Sequence, residues 1–566
     1  MFGLRSLLLL FVMVALLACT VEGEEYNLQN QQVSVTFFHT SDIHAKMFPW
    51  KGYLNIFDRS DGLSPVHEPF GGIARLATVL KEQRRDAKRS FYVDSGDVFQ
   101  GAVDFNYFKG EVEMRAFSAL GINAMAFGNH EIDMGGENLA YQVKTWANFP
   151  FLAANYIFEP PELGYAKTLL AEVVKPYTIL YEKGLTVGVI GMGSVDSILS
   201  VKYQGNNLGM SVTDTYETLK TYINFLEQHV DIIILLSHLG VTDDQKVAEH
   251  VGGIDIIFGG HNHITLDPPQ WISYMGDGTT PLENDPYYKA GHRTMIVHSG
   301  TNAKFLNRVD LLVENKDIID YRYTLFPIDA RVAEDGPMRT LLEPYELELK
   351  ELLDLNRVIG HATAMFQRNA DDGEDSPLGN LVARSMMERK FVETNFALTN
   401  STGIRADLNA GDITEEQTYQ ILPFENYITT MFLTGEEILE LFDYVAYRSA
   451  TRGCNAQAQI AGIEVTLYCR GTDEEQCARV NSAAPCSYAD PEQIFIGGVQ
   501  LNRKGVYEMA TNDYISRGGS GYEVLERNTT RTDTGISIRS AVTNYIEKHS
   551  PISPEDFEDN SIHLVR

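Results

Sequence analysis

The sequence predicts an α/β protein of two large domains, and three observations carry that prediction. The chain has 566 residues, more than one core accommodates, because single cores stop growing at roughly 250–300 residues. Its first half alternates short apolar runs with polar loops and amphipathic stretches, the pattern of a layered α/β domain. Residues 338–355 are rich in Leu and Glu at helical spacing and divide this half from a second one with its own helix and strand signals.

The amino terminus carries an address. Arg5 precedes an apolar run over residues 7–17, too short to span a bilayer and placed where a secretory signal sits. Two endings fit: cleavage near Gly23, or cleavage before Cys19 in Leu16-Leu17-Ala18-Cys19, which resembles a bacterial lipoprotein signal whose cysteine is lipidated. The cysteine count favours the second, because Cys454, Cys469, Cys477 and Cys486 share one segment and leave Cys19 over. Two local disulfides of open pairing fit those four in an oxidising compartment; a zinc site fits less well, since no Cys-x-x-Cys spacing occurs. The expected location is the periplasm or cell surface with a lipid anchor at Cys19, or the secreted medium. A formal net charge of −31 argues against nucleic acid as a partner, because an acidic surface gains nothing from counterion release on a polyanion.

Residues 37–38, 91–93, 124–127, 187–190, 232–236 and 254–258 read as strands, and 73–84, 111–120 and 213–229 as helices, by apolar spacing. Two polar, aromatic-spotted stretches, 48–70 and 267–293, each follow a histidine-bearing loop and read as rims of a cleft. The domain bounds that follow are a signal over 1–23, a first domain over 33–335, a connecting helix over 336–356 and a second domain over 357–550. In the latter, Ser376-Pro377 starts a helix over 381–391, and a capping box at Thr434-Gly435-Glu436-Glu437 precedes 438–447. Strands are expected at 396–399, 463–467 and 508–511.

The chemistry lies where apolar runs end. Five segments of the first half close on Asp, His or Asn: Asp42-Ile43-His44, Asp94-Ser95-Gly96-Asp97, Asn129-His130, Ser237-His238 and Gly259-Gly260-His261-Asn262-His263. Singly each is ordinary turn chemistry or a hydrogen-bonded histidine. Jointly they supply the carboxylate, imidazole and amide ligands of a pair of divalent metals, aimed from rigid strand ends. An Asp with a spare oxygen can bridge two such ions and clamp a phosphoryl group for in-line attack. The other histidines, His298 among them, are read as structural.

These segments, with His39-Thr40-Ser41 and Gly71-Gly72-Ile73-Ala74-Arg75, resemble the calcineurin-like metallophosphoesterases of the 5′-nucleotidase family, over residues 33 to about 525. The resemblance implies an N-terminal four-layer α/β/β/α metallophosphoesterase domain joined by a helix to a C-terminal α/β substrate-binding domain. It implies one metal at Asp42, His44, Asp97 and His263 and a second at Asp97, Asn129, His238 and His261, with Asp97 bridging. The ions are expected to be zinc, with manganese, cobalt or magnesium as alternatives. His130, oriented by Asp133, would be the non-ligand donor to the phosphate or leaving oxygen while a metal-activated water attacks in line.

In the second half the resemblance rests on 376–381, 400–405, 422–424 and Asn512-Asp513-Tyr514 with 518–521. It implies that Phe424 and Tyr514 stack on a nucleotide base, and that Asn400 and Arg405 hold its edge and the phosphate side. Many relatives carry Asp where this chain has Ser520, so ribose recognition would rest on an uncharged hydroxyl. An arginine that relatives place before the Leu-Gly-Asn motif has Arg368 as its nearest counterpart. The expected reaction is hydrolysis of nucleoside 5′-monophosphates. Di- and triphosphates, nucleotide sugars, cyclic nucleotides or sulfur esters are the same-fold alternatives, and a nucleotide-binding surface protein without catalysis is the rival of another class. The oligomeric state is left open.

Overall fold

The computed structural model describes residues 31–566 except 53, 55, 159–164, 196–209, 277–287, 289–290, 389–393 and 559–560. The signal segment, Cys19 and part of the 267–293 stretch therefore lie outside the described residues.

Two large sheets and a two-stranded ribbon, Tyr156–Ile157 with Ser211–Val212, form the first domain among the described residues. In a seven-stranded sheet the order is Asp317–Pro327, Phe305–Glu314, Val33–Thr40, Ser90–Asp94, Ala124–Ala126, Phe151–Leu152 and Val174–Lys175. The last five run parallel, and Phe305–Glu314 pairs antiparallel with both of its neighbours. A six-stranded sheet orders Gln270–Ser273, Arg293–His298, Ile256–Gly259, Ile232–Ser237, Leu185–Met192 and Tyr177–Glu182, with its four central strands parallel. Parallel strands need apolar residues on both faces, and Ile232–Ser237 is buried throughout.

Alternate residues divide the layers. Val35, Phe37, Phe91, Val93 and Ala126 of one sheet pack between the sheets against Val187, Ile234, Leu236 and Phe258 of the other. The opposite faces are covered by Ile73–Arg84, Glu111–Leu120 and Gly136–Trp146 on the first sheet and by Thr215–Leu226 and Val241–His250 on the second. The result is the expected α/β/β/α stack, with the carboxyl ends of both parallel sets converging on one rim.

The connecting helix is Gly336–Leu352, entered through an N-cap at Asp335 that accepts from Met338 N. Met338, Leu342 and Tyr345 bury into the first domain's core, and the Tyr345 hydroxyl donates to Glu111 at 2.6 Å. It is therefore part of the first domain's outer layer rather than a free connector, because its apolar stripe finds cover there. The chain turns at 353–357, where the Leu355 and Arg357 carbonyls accept from Glu416 N and Glu415 N of the second domain.

The second domain has a five-stranded sheet ordered Ala458–Ala461, Phe396–Asn400, Val506–Asn512, Tyr427–Thr434 and Thr532–Ser537, and a four-stranded sheet built on Cys486–Ile496 and Ile463–Gly471. Helix Gly435–Thr451, started by the expected capping box at Thr434, packs Ile438, Leu441, Phe442 and Val445 against both. Pro377–Met387, N-capped by Ser376, and Ile538–His549 cover the other face of the five-stranded sheet. The fold runs past the expected end at 550: Ile562–Val565 pairs in parallel with Ile463–Gly471. The four cysteines form two local disulfides, Cys454–Cys469 and Cys477–Cys486.

Candidate active site

The five chemistry-bearing segments meet where the two sheets' carboxyl ends adjoin. Backbone bonds interlace them: Asp42 N donates to Gly96 O at 2.9 Å, His44 N to Asp97 O at 3.0 Å, and Gly260 N to Ser237 O at 2.9 Å. The sheets are joined through Asp42, whose carboxylate accepts from His261 N at 3.0 Å. Glycines permit this closeness. A Cβ on Gly128 would lie 2.4 Å from both the backbone nitrogen and Oδ1 of Asp97, a distance no side chain tolerates.

Six expected ligands fall into two groups, Asp42 with His44 and His263, and Asp97 with His238 and His261; within each group the ligating atoms lie within 4.8 Å of one another. Asn129 joins the second group, its Oδ1 3.0 Å from His261 Nδ1. Asp97 lies in the second group, its Oδ2 3.0 Å from His238 Nε2.

The hydrogen bonding around these side chains fits cations. His44 Nδ1 is 2.8 Å from the Gln100 carbonyl and His238 Nδ1 is 2.6 Å from the Ser95 carbonyl. A carbonyl only accepts, so both rings carry a proton on Nδ1. His44 turns an Nε2 lone pair inward, whereas for His238 burial lowers the pKa but Asp97 outweighs it and raises it to about 10, so that without a bound ion its Nε2 shares a proton with Asp97. There His44 Nε2 meets His263 Nε2 at 2.8 Å, and His238 Nε2 meets Asp97 Oδ2 at 3.0 Å. Converging acceptors in a buried place call for positive charge between them. Burial holds His44 and His263 well below the usual imidazole range and brings His261 down to about 4, so these rings are in the neutral, ligating form.

His130 stands apart from the ligands. Its Nδ1 pairs with Asp133 Oδ2 at 2.7 Å, and its backbone N–H donates to Asp97 Oδ1 at 2.8 Å. Burial lowers its pKa, but Asp133 and Asp97 outweigh burial and raise it. Its ring lies 5.4 Å from that of His44 and 5.8 Å from that of Phe424.

Phe424 belongs to the second domain, so the two domains face each other across this site. Asn106 Nδ2 donates to Pro423 O at 2.9 Å nearby. The Arg405 guanidinium lies 5.8 Å from the Phe424 ring centroid. Burial and the charge of Arg368 lower its pKa, while Asp97, Asp133 and Asp42 of the metal rim raise it. Arg368 donates to the Arg405 carbonyl at 3.0 Å, which places the sequence's nearest counterpart arginine beside it. Asn400 is buried, accepting from Asn512 at 2.8 Å and donating to Thr402 at 2.8 Å. The Tyr514 hydroxyl bonds Ser520 N at 3.1 Å and lies 3.2 Å from Ser520 Oγ. The hydroxyl expected to meet a ribose is thus already engaged, and Ser520 itself is held at φ +58°.

The sequence reading missed the supporting groups. Ser95 and Gln100 act through carbonyls, which every residue has, so no side-chain signal marks them. Glu131, between His130 and Asp133, is fully buried and accepts from three backbone N–H groups of 97–99. His298, left structural, is buried and pairs with Asp244 at 2.8 Å, whose other oxygen accepts from Ser237.

Two clusters of buried acceptors on the rim of an α/β/β/α stack define a two-metal phosphoesterase, a hydrolase. Residues 35–265 match the family profile "Calcineurin-like phosphoesterase", and residues 358–527 match "5'-nucleotidase, C-terminal domain". Together these ranges span most of the chain, which belongs to the metallophosphoesterases that carry a 5′-nucleotidase C-terminal domain. A 5′-nucleotidase of Vibrio cholerae is 25% identical over 98% of this chain and 97% of its own. A snake venom 5′-nucleotidase of Crotalus adamanteus is 25% identical over 92% of this chain and 87% of its own. Among solved structures, a 5′-nucleotidase precursor from Thermus thermophilus superposes with a TM-score of 0.76 at 25% identity, covering 94% of this chain and all (100%) of that one.

Proposed function

We propose that the protein is an exported phosphohydrolase that releases phosphate from nucleoside 5′-monophosphates. The observation that carries this reading is the juxtaposition across the domain cleft: the acceptor clusters of the first domain face Arg405 and Phe424 of the second. A phosphate would lie between the clusters and Arg405, with the base toward Phe424 and Tyr514.

Asp42, His44 and His263 would hold one ion, and Asn129, His238 and His261 the other, with Asp97 shared. The imidazole-rich set favours zinc over magnesium, which prefers oxygen ligands. Bound ions would lower the pKa of a coordinated water and neutralise phosphoryl charge. The remaining work falls to the chain. His130, protonated and oriented by Asp133, donates a hydrogen bond where charge develops on the leaving oxygen. Arg405 neutralises a phosphoryl oxygen from the opposite side. Phe424 and Tyr514 offer aromatic faces to any base, while Asn400 is held by Asn512 and Thr402 with its amide fixed for edge contact. Because the connecting helix packs on the first domain, reorientation of the domains would pivot at 353–357.

Two disulfides support an oxidising destination, and among the described residues no helix is long and apolar enough to cross a membrane. Attachment through lipid on Cys19 is part of the same reading and is tested by mass spectrometry of the mature amino terminus.

The test of function is a substrate panel with zinc-loaded protein, comparing mono-, di- and triphosphates, nucleotide sugars and cyclic nucleotides for phosphate release. Fastest turnover of monophosphates is expected. Phosphate from none of them would sink the reading; faster turnover of another class would replace the substrate assignment.

A further inference from the structure

Glu131 has no part in the chemistry above, yet its surroundings are unusually specific. Its side chain is 0% exposed, where an unpartnered carboxylate is costly. Oε2 accepts from Asp97 N at 3.1 Å, and Oε1 accepts from Val98 N at 2.8 Å and from Phe99 N at 3.3 Å. Three consecutive backbone N–H groups converging on one carboxylate form an anion nest. Here the anion is supplied by the chain itself.

What the nest holds in place is Asp97. That residue has φ +55°, a conformation costing a non-glycine residue on the order of 1 kcal/mol or more unless its neighbours enforce it. The Asp97 side chain is fixed from the same loop: Oδ1 accepts from His130 N at 2.8 Å, and Oδ2 faces His238 Nε2 at 3.0 Å. Gly128 shows how tight the arrangement is, since a Cβ there would lie 2.4 Å from Asp97 Oδ1 and 2.7 Å from Glu131 Oε2. The two carboxylates therefore flank one glycine in a dry pocket, one turned toward the ligand cluster and the other toward the backbone beneath it.

We infer that Glu131 is a positioning residue for the metal centre: by clamping the backbone of 97–99 it presets the Asp97 carboxylate and so raises the cation affinity of the Asp97–His238–His261 cluster. This rests on reading that cluster as a metal site. Glu131→Gln is nearly isosteric, but its amide NH₂ cannot accept, so at least one of the three N–H groups loses its partner. Its Asp97 is expected to relax, and zinc is expected to bind one of two sites at least tenfold more weakly.

The measurement is zinc affinity and stoichiometry of the purified full chain, by competition with a chromophoric chelator. Thermal unfolding in excess chelator and steady-state kinetics across a zinc series accompany it. Expected for Glu131→Gln are one weakened site, kcat recovered as zinc is raised, and a KM for nucleotide unchanged at saturating zinc. Loss of metal-free thermal stability with zinc affinity equal to wild type would mean a purely structural residue and overturn the inference. If Glu131→Gln does not fold, Glu131→Asp keeps the acceptor oxygens one methylene short and is expected to show the same weakening to a smaller degree; wild-type affinity in that variant also overturns it. A wild-type protein that binds no zinc, manganese or cobalt would instead bring down the metal-site reading itself.

Discussion

His130→Ala separates chemistry from metal binding more cleanly than any other change in this protein. The ring makes one strong contact, Nδ1 to Asp133 Oδ2 at 2.7 Å, and it is absent from both ligand clusters. The residue's link to the metal cluster is its backbone N–H, which donates to Asp97 Oδ1 at 2.8 Å, and alanine keeps that bond. The variant should therefore bind its full complement of metal. Losing one preorganised donor at a site of developing charge costs about 10²–10³ in kcat, or roughly 2.7–4 kcal/mol. Burial lowers the His130 pKa, but Asp133 and Asp97 outweigh it and raise it, which favours the protonated donor. The assay is phosphate release from a nucleoside 5′-monophosphate at saturating zinc, with metal content measured by atomic emission on the same sample. A variant that loses a metal would show His130 to be a ligand, and one within about tenfold of wild type would show that no such donor operates.

Gly128→Ala should force Asp97 from its place, because the added carbon meets Asp97 N and Oδ1 at 2.4 Å. Metal analysis should show loss of at least one ion, and a fully loaded, active variant would refute the close packing. Phe424→Ala removes one stacking face worth roughly 1–3 kcal/mol. It should raise KM for nucleotides while leaving turnover of a small non-nucleotide phosphate ester largely intact; equal losses on both would assign Phe424 to the metal rim instead. Glu113 is 0% exposed, and burial pushes its pKa up to about 8 from an ordinary 4.5. Between those values the folded state binds the extra proton, so Glu113 costs stability as pH rises through the window, with a slope of up to about 1.4 kcal/mol per pH unit. Glu113→Gln should gain on wild type in denaturant midpoint from pH 5 to 8; parallel curves would refute the buried, protonated assignment.

The candidate ligands were legible because each follows an apolar strand, and a strand's end is a fixed point whatever the tertiary packing. Helices 73–84 and 111–120 were legible for a similar reason: strong apolar spacing and, at Gly121, a left-handed stop. The paired strands Phe305–Glu314 and Asp317–Pro327 were passed over. In the first, Val309, Leu311 and Val313 keep a period of two, yet Arg308 before them and Asp310 among them read as polar loop until their ion pair is seen. The second is a largely half-exposed edge strand with little pattern to read. The helix Gly336–Leu352 was legible from its apolar stripe, whereas what it packs on was not, because such a stripe says that a face is covered and not by what. Asn400, Arg405, Phe424 and Tyr514 come from separate elements with no shared periodicity. Only resemblance could gather them, and only the folded chain shows Arg405 and Phe424 turned toward the metal rim.

One feature of the ligand loops bears on how this protein trades persistence for activity. Asp42, His44, Asp97, His261 and His263 all have positive φ, between 50° and 78°, where glycine rests without strain and these residues do not. Glycine at any of these five positions is expected to relieve backbone strain and raise metal-free stability while removing a candidate ligand. Thermal robustness measured without metal is therefore a poor guide to choosing active variants of this chain, because the substitutions that improve it most easily are those that dismantle the site.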